Sequence, residues 1–432
     1  MVARLSAVRA DVVRRWGALG PWGSDAVLYA LSAVFALGLA TSSTQPAQWH
    51  WGYLALGPYV GAALASLGMA RRRPRREVLS RVALLALVVM GSVAVPLGLE
   101  AHWRHTDSAT AAAMAQPEVP VIERAGSSII HGRDPYRSYV HDGHLVDAVK
   151  GVPAFESFFP YFPLMGVFGL PSAATHDRNV LTDARIVMSL MTLLVSGLAI
   201  GLLRASRRKK ILVAQVMLAL PTGALFLATG GDDMPILALA LLGVAALQRR
   251  QSVTAAVALG LAAAMKLTAW PLALGSLLVV RDRADRRTWK VTAWIIASIV
   301  FVTVLPFAVK NPHAFMVNVF GFPLGLSGVT SPAASALPGH VLTTLWPPLG
   351  HVLAPVTMVV GGVVAGRYLR RHSPINLRQL LALLSVAYAV LICVATATRA
   401  GYVVYPLNFA LWSWVCDERV VAPAPQRDAV AA

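Results

Sequence analysis

The chain has 432 residues, of which 56% are hydrophobic and only 13% are charged, and its formal net charge is +18. Soluble globular domains carry about 25% charged residues, so this composition excludes an ordinary water-soluble fold. The positive charge does not indicate nucleic-acid binding, because Lys and Arg also accumulate in the cytoplasmic loops of membrane proteins.

Apolar runs close to the roughly 20 residues that cross a bilayer recur along the chain. They predict an all-α polytopic membrane protein, a helical bundle of about 12–13 transmembrane segments. The predicted segments are 26–43, 51–70, 79–99, 158–174, 184–203, 211–229, 234–248, 252–265, 267–280, 291–309, 341–365, 377–397 and 402–416.

Basic clusters lie between these segments and predict the topology. The positive-inside rule places them in the cytoplasm together with both termini, and it leaves the loop 100–157 outside. The clusters are 71–76, 204–210, 248–251, 281–290 and 367–373. The predicted organisation is a basic cytoplasmic N-terminus at 1–25, three transmembrane helices at 26–99, the external loop at 100–157, the remaining core at 158–416 and a disordered cytoplasmic tail at 417–432.

This topology makes two demands on the chain. Both flanks of 252–280 are predicted to be cytoplasmic, so this run must form two short helices that turn near Lys266. Only two apolar segments separate the external loop from the basic cluster 204–210. Either the proline-rich segment 158–171 is re-entrant, or one basic cluster breaks the rule; the sequence leaves both possibilities open.

The external loop contains the stretch "EVPVIERAGSSIIHGRDPY". It predicts a short amphipathic helix that begins at Glu118 and ends at Gly132. Glu118 is either a reactive carboxylate or a carboxylate that caps the helix. Glu123 points to another face and is expected to pair with Arg124 or Arg133. Farther along, Asp134 could cap the Asp-Pro turn, and His131 and Arg133 could reach a phosphate.

Charged residues also stand inside the apolar core. Lys266 lies between two apolar half-helices, where a cation is costly unless it has a partner. An anionic head group is one candidate partner, and Asp232 or Asp233 in "TGGDDMP" is the structural alternative. Arg399 begins the last span in "TRAGYVVYP", close enough to the interface that it could simply snorkel.

Several of these stretches together resemble bacterial polyprenol-phosphate-mannose-dependent mannosyltransferases, which are C-type (GT-C) membrane glycosyltransferases similar to glycosyltransferase family 87. The resemblance covers most of Glu118 to Trp412. The matching stretches, in order, are "EVPVIERAGSSIIHGRDPY", "YFPLMGVFGLP", "TGGDDMPILALALLGVAAL", "RRQSVTAAVALGLAAAMKLTAWPLALGSLL" and "RAGYVVYPLNFALW".

The resemblance implies a helical membrane core with a long external catalytic loop, and it aligns Glu118 with the catalytic acidic residue of the family. The family commonly has Asp at that position. A lipid-linked sugar transfer needs a base for the acceptor hydroxyl and cations for the departing phosphate. Lys266, Arg399, His131 and Arg133 are the candidate phosphate ligands; the candidate supporting residues are Glu123, Asp134, Tyr136, Asp232 and Asp233.

The expected partners are a polyprenyl-phosphate sugar, a glycolipid or glycan acceptor and membrane lipids, with no nucleic acid. No cofactor is expected beyond the lipid-linked donor, and no ligand cluster in the sequence calls for a metal. The main alternative function is a lipid or polysaccharide transporter or flippase, because broken helices and intramembrane charges suit that class too. A non-catalytic assembly factor is a third possibility.

Overall fold

Helices make up nearly all of the regular structure in the computed structural model of the chain. The structure describes residues 18–72, 74–107, 111–175 and 179–416, so the predictions for most of 1–25 and for 417–432 lie outside the described residues. Within these ranges, seven helices are long and apolar enough to cross a membrane, and four shorter apolar helices accompany them. The prediction of an all-α polytopic membrane protein is confirmed.

The first three spans are α1 (Gly20–Ser42), α2 (Pro46–Arg72) and a long helix that changes pitch. The third span consists of α3 (Glu77–Val89), a π-helical turn (Met90–Ala94) and α4 (Val95–Thr106). The π turn accepts a tertiary hydrogen bond, because the carbonyl of Ser92 receives the indole N–H of Trp51 at 2.8 Å. Gly52 lets α2 approach α1 closely, since a Cβ there would stand 2.6 Å from the carbonyl oxygen of Ala36.

The predicted external loop contains α5 (Glu118–Ile130) and a small hairpin of β1 (Tyr139–His141) and β2 (His144–Val146). The predicted helix from Glu118 is confirmed, and it ends where expected, because Gly132 follows with a positive φ of 64°. The other short elements between α4 and residue 183 are 3-10 helices at Ala111–Met114, Ala154–Ser157, Pro163–Gly169 and Val180–Thr182, and helix α6 (Leu170–Ala174).

The remaining helices form the core. In chain order they are α7 (Ala184–Leu202), α8 (Arg207–Ala214), a π turn (Gln215–Ala219), α9 (Pro221–Thr229), α10 (Asp233–Gln248), α11 (Ser252–Ala263), a 3-10 turn (Leu267–Ala269), α12 (Trp270–Arg281), α13 (Arg286–Lys310), α14 (Pro312–Met316), a π turn (Val317–Gly321), α15 (Pro338–Leu345), a 3-10 turn (Pro347–His351), α16 (Leu353–Arg371), α17 (Leu377–Val394), a 3-10 turn (Ala400–Val403) and α18 (Val404–Val415). The two half-helices predicted on either side of Lys266 are present as α11 and α12.

Tertiary contacts gather the basic clusters at one end of the bundle, which we call the basic end. The cluster 204–210 contacts the start of α3, the cluster 248–251 contacts the end of α7, and 281–290 contacts the residues just after 367–373. The contacts are Arg208 to Glu77 at 3.0 Å, Arg249 to the Leu202 carbonyl at 2.5 Å, Asp282 to the Ile375 amide at 2.9 Å, Lys209 to the Trp414 carbonyl at 3.0 Å and Ser413 to the Arg378 carbonyl at 2.9 Å.

The segment 158–174 returns to the end of the bundle from which it starts. Arg124 of α5 donates to the carbonyl of Glu156, just before this segment. The neighbouring Glu123 accepts from the backbone amide of Ala184, just after it. Both flanks therefore contact one turn of a single helix, so the segment starts and ends at the same end of the bundle. Its 3-10 and short α-helical turns begin at Pro163, where the ring removes a backbone donor.

Candidate functional site

Glu118 and Arg399 meet at the end of the bundle opposite the basic end. Nη1 of Arg399 lies 2.6 Å from Oε1 of Glu118, and the two side chains are 30% and 13% exposed. Glu118 opens α5 directly after Pro117, whose fixed φ suits a helix start. Its second oxygen, Oε2, is buried and has no hydrogen-bond partner among the described residues. One carboxylate oxygen thus pairs with a cation, while the other has no hydrogen-bond partner among the described residues.

Lys266 contacts both aspartates of the "TGGDD" turn. Its Nζ lies 2.6 Å from Oδ2 of Asp232 and 2.6 Å from Oδ1 of Asp233, and the lysine side chain is 16% exposed. The broken helix produces this placement, because Lys266 is the extended residue between the two half-helices, with φ −154° and ψ 144°.

The turn that carries the aspartates packs onto the first turn of α5. Gly230 has a φ of +96°, and a Cβ at this position would stand 2.3 Å from Cγ2 of Val119. Val119 is the residue after Glu118. Glycine therefore lets Asp232 approach Glu118, and the two carboxylates lie within electrostatic range of each other.

Tyrosines surround the ion pairs, and they were not predicted as site residues. The hydroxyl of Tyr405 donates to Oδ1 of Asp233 at 2.5 Å and also contacts the Thr268 hydroxyl at 2.8 Å. Nζ of Lys266 lies 5.4 Å from the ring centroid of Tyr161. The sequence carried a signal for Tyr405, since it stands in "RAGYVVYP", the same short stretch as Arg399.

The cluster can therefore accept a proton and bind an anion at one place. It holds three carboxylates and two cations, which come from four separate parts of the chain that the fold brings together. They are Glu118, Asp232, Asp233, Lys266 and Arg399. Buried carboxylates next to cations are a common arrangement in catalytic sites.

The other predicted phosphate ligands lie elsewhere. His131 and Arg133 are exposed beyond the far end of α5, which separates them from Glu118 by about 18 Å at roughly 1.5 Å per residue. The structure does not bring them to Lys266 and Arg399. Asp134 caps its turn as predicted, accepting from the amide of Tyr136 at 2.9 Å. Tyr136 is fully buried and donates to the carbonyl of Tyr161 at 2.7 Å, which places it in the core.

Glu123 belongs to a second ionic cluster. The expectation that it pairs with Arg124 or Arg133 is wrong, because both of its oxygens accept from Arg104 at 2.9 Å. Arg104 also donates to Asp183 at 2.8 Å, and Asp183 accepts from Arg185. Sequence spacing gave no signal for these partners, which lie on different elements of the fold.

Two carboxyl groups near these clusters have shifted pKa values. Burial alone raises the pKa of Asp183, but a hydrogen bond with His105 and the charge of Arg185 outweigh it and hold that pKa well below its usual range. Burial raises the pKa of Glu156, against a smaller opposing effect of Arg124. Among the described residues, no group of three or more His, Cys, Asp or Glu side chains could hold a metal ion.

Comparison with known families agrees with this kind of site. The model of glycosyltransferase family 87 matches residues 159–414, more than half of the chain, and the chain belongs to this family. It is therefore a membrane glycosyltransferase of the GT-C type. The matched region contains Asp232, Asp233, Lys266 and Arg399, whereas Glu118 and α5 precede it. No curated protein and no solved structure matches the chain.

Proposed function

We propose that this glycosyltransferase moves a sugar, mannose, from a polyprenyl-phosphate donor to a glycolipid or polysaccharide acceptor outside the cell membrane. The donor is itself the lipid-linked substrate, and no separate cofactor is required. The observation that carries the proposal is that only one of the two carboxylate oxygens of Glu118 has a hydrogen-bond partner among the described residues. Its Oε1 is bound to Arg399, while Oε2 is buried without a hydrogen-bond partner among the described residues.

In this mechanism Glu118 is the general base. Oε2 accepts the proton of the acceptor hydroxyl as its oxygen attacks the anomeric carbon of the sugar. The bond between that carbon and the phosphate oxygen breaks, and polyprenyl phosphate leaves with the electron pair. The ion pair with Arg399 orients the carboxylate before the acceptor arrives.

Lys266 and Arg399 are the proposed ligands of the donor phosphate. A lysine ammonium has three N–H donors, and two of those of Lys266 are directed at Asp232 and Asp233. An arginine has five donors, and Nη1 of Arg399 engages Glu118. Each cation can therefore bind a phosphate oxygen without giving up its carboxylate, and stabilise the charge of the leaving group. His131 and Arg133 are omitted from this role because of their distance.

The proposed orientation places the basic end in the cytoplasm and the Glu118 end outside. It is supported by the gathering of the basic clusters at one end, as the positive-inside rule requires. An impermeant thiol reagent applied to intact cells should label a cysteine placed at Asp142 and should not label one placed at Arg286. Labelling at Arg286 alone would reverse the orientation.

The reaction is tested with purified protein in lipid vesicles. Wild-type protein should consume polyprenyl-phosphate mannose when an acceptor glycolipid is present, and it should leave a nucleotide-linked mannose untouched. Use of the nucleotide-linked sugar would contradict the proposed donor class. Movement of the intact lipid-linked sugar across the bilayer, with no sugar transfer, would instead support the transporter alternative.

A further inference from the structure

A cleft lies at the opposite end of α5 from Glu118, and the mechanism above does not use it. Its volume is about 490 Å³, and it is bounded by the end of α5, the β1–β2 hairpin and the end of α13. The residues that line it are Gly132, Arg133, Asp134, Arg137, Tyr139, Val146, Asp147, Lys310 and Asn311. Three of these side chains are cations and two are carboxylates.

The cations of this cleft are weakly paired. Arg133 is exposed, and its side chain makes no ion pair within the part of the chain that the structure describes. Arg137 lies 3.4 Å from Asp147, but both side chains are more than half exposed, so water competes with this pair. The cleft therefore offers N–H donors that a bound anion can take without breaking a buried contact.

Hydrogen bonds between neighbouring elements hold the walls of the cleft in place. Lys310 donates to the carbonyl of Gly132 at 2.8 Å and so ties the end of α13 to the end of α5. The fully buried Asn318 donates to the carbonyl of Ser138 at 2.7 Å. Ser138 in turn donates to the carbonyl of Asp147 at 2.9 Å and closes the hairpin. These hydrogen bonds join the end of α13, the end of α5 and the hairpin around the cleft.

The composition of the cleft fits a charged sugar better than a bare phosphate. Arginine pairs well with carboxylate or phosphate groups, whereas Asp134 and Asp147 would repel a compact polyanion and can accept hydrogen bonds from sugar hydroxyls. Tyr139 supplies an aromatic ring, which His313 holds edge to face at 5.1 Å. Ligand sites typically combine such apolar surface with a few polar groups that fix orientation.

We propose that this cleft binds an anionic oligosaccharide segment of the acceptor. The inference rests on the proposed function, because it takes Glu118 to be the site of sugar transfer. The cleft lies about 18 Å along α5 from Glu118, at roughly 1.5 Å per residue. A bound acceptor must therefore be an oligomer, with one part in the cleft and its reacting hydroxyl at Glu118.

The test measures binding without any donor, so it does not depend on turnover. Labelled tetragalacturonate, an acidic oligosaccharide, is titrated into the full-length protein in detergent. We compare wild type with Arg133→Ala/Arg137→Ala and with the matched control Arg286→Ala/Arg287→Ala, whose arginines are exposed at the basic end. Loss of one charge-assisted hydrogen bond corresponds to roughly ten-fold in affinity, so the cleft variant should bind at least that much more weakly.

The control double variant should bind like wild type, and neutral maltotetraose should not displace the probe. Three results would overturn the inference. The first is equal binding of the probe by the two double variants, and the second is displacement of the probe by inorganic phosphate at the same concentration as by unlabelled probe. The third is a cleft variant that loses only its binding to phosphatidylglycerol vesicles and still binds the probe like wild type. Each would leave the proposed transfer reaction intact, because that reaction is tested by donor consumption.

Discussion

Two groups of ionised side chains lie at the Glu118 end of this protein, on neighbouring turns of α5, and they differ in how completely their partners saturate them. Around Glu123, both carboxylate oxygens are bound to Arg104, and Asp183 and Arg185 are fully buried. Around Glu118, the side chains of Lys266 and Arg399 are 16% and 30% exposed, and Oε2 of Glu118 has no hydrogen-bond partner among the described residues.

We propose that the difference separates a group that only stabilises the fold from a site that a substrate can enter. Taking an ion out of water costs several kcal/mol, so a buried charge persists only when its partners satisfy it. Glu123 and Asp183 meet this condition through their arginines and join α5 to α4 and α7, whereas Glu100, 3.8 Å from Arg185, has no hydrogen-bond partner among the described residues. The Glu118 group has a carboxylate oxygen and N–H donors that a ligand could still bind. The Glu123 group fixes the position of α5, and α5 in turn positions Glu118.

The largest expected effect tests this contrast within one helix. Glu118→Gln keeps the size and polarity of the side chain but cannot accept a proton at neutral pH. General-base catalysis contributes about 10²–10⁴-fold, so turnover in the vesicle assay should fall by that order while donor binding survives. Glu118→Asp should be milder, because the carboxylate remains and only its reach shortens.

Glu123→Gln is the matched control for this variant. It removes a charge from the saturated group, so it should lower the temperature of unfolding and leave the turnover of the folded protein close to wild type. The proposed division of roles fails if Glu123→Gln is inactive when folded while Glu118→Gln keeps the wild-type rate.

The next effect concerns the stability of the saturated group. Asp183→Ala leaves Arg104 and Arg185 without their shared carboxylate, and removing one partner of a buried ion pair typically costs about 3–5 kcal/mol. Thermal unfolding in detergent should show this loss. The control Arg208→Ala breaks an exposed pair with Glu77 and should cost no more than about 1 kcal/mol. An equal loss of stability in both variants would mean that Asp183 does not stabilise the fold more than an exposed ion pair does.

The smallest of the three effects concerns Lys266. Lys266→Met should weaken binding of polyprenyl-phosphate mannose by roughly ten-fold, the value of one charge-assisted hydrogen bond, and Lys266→Arg should restore part of it. The double variant Lys266→Met/Asp232→Asn also removes one of the two carboxylates that lose their cation. It should recover stability but not donor affinity, and full recovery of affinity would show that Lys266 only neutralises the two aspartates.

The sequence by itself determined the class of fold and several local features, because these depend on composition and on neighbours along the chain. Hydrophobic runs predicted a membrane protein built of apolar helices, Glu118 and Gly132 marked the two ends of α5, and the predicted cytoplasmic position of both flanks of 252–280 required the break at Lys266. The same residues also gave the family resemblance, which the family model confirms. The two possible partners of Lys266 followed from the cost of an isolated charge in an apolar core.

Only the tertiary structure decided which charges share a site. Arg399 follows Glu118 by more than half of the chain, yet the two side chains lie 2.6 Å apart. Arg133 stands near Glu118 in sequence, yet a helix separates them. The pairing of Glu123 with Arg104 and the return of 158–174 to the end of the bundle from which it starts were likewise set by packing between elements. A helix separates residues that are close in sequence, because each residue advances along the helix axis. Packing of the helices in the bundle brings together residues that are far apart in sequence, so proximity along the chain could not identify the residues of the site.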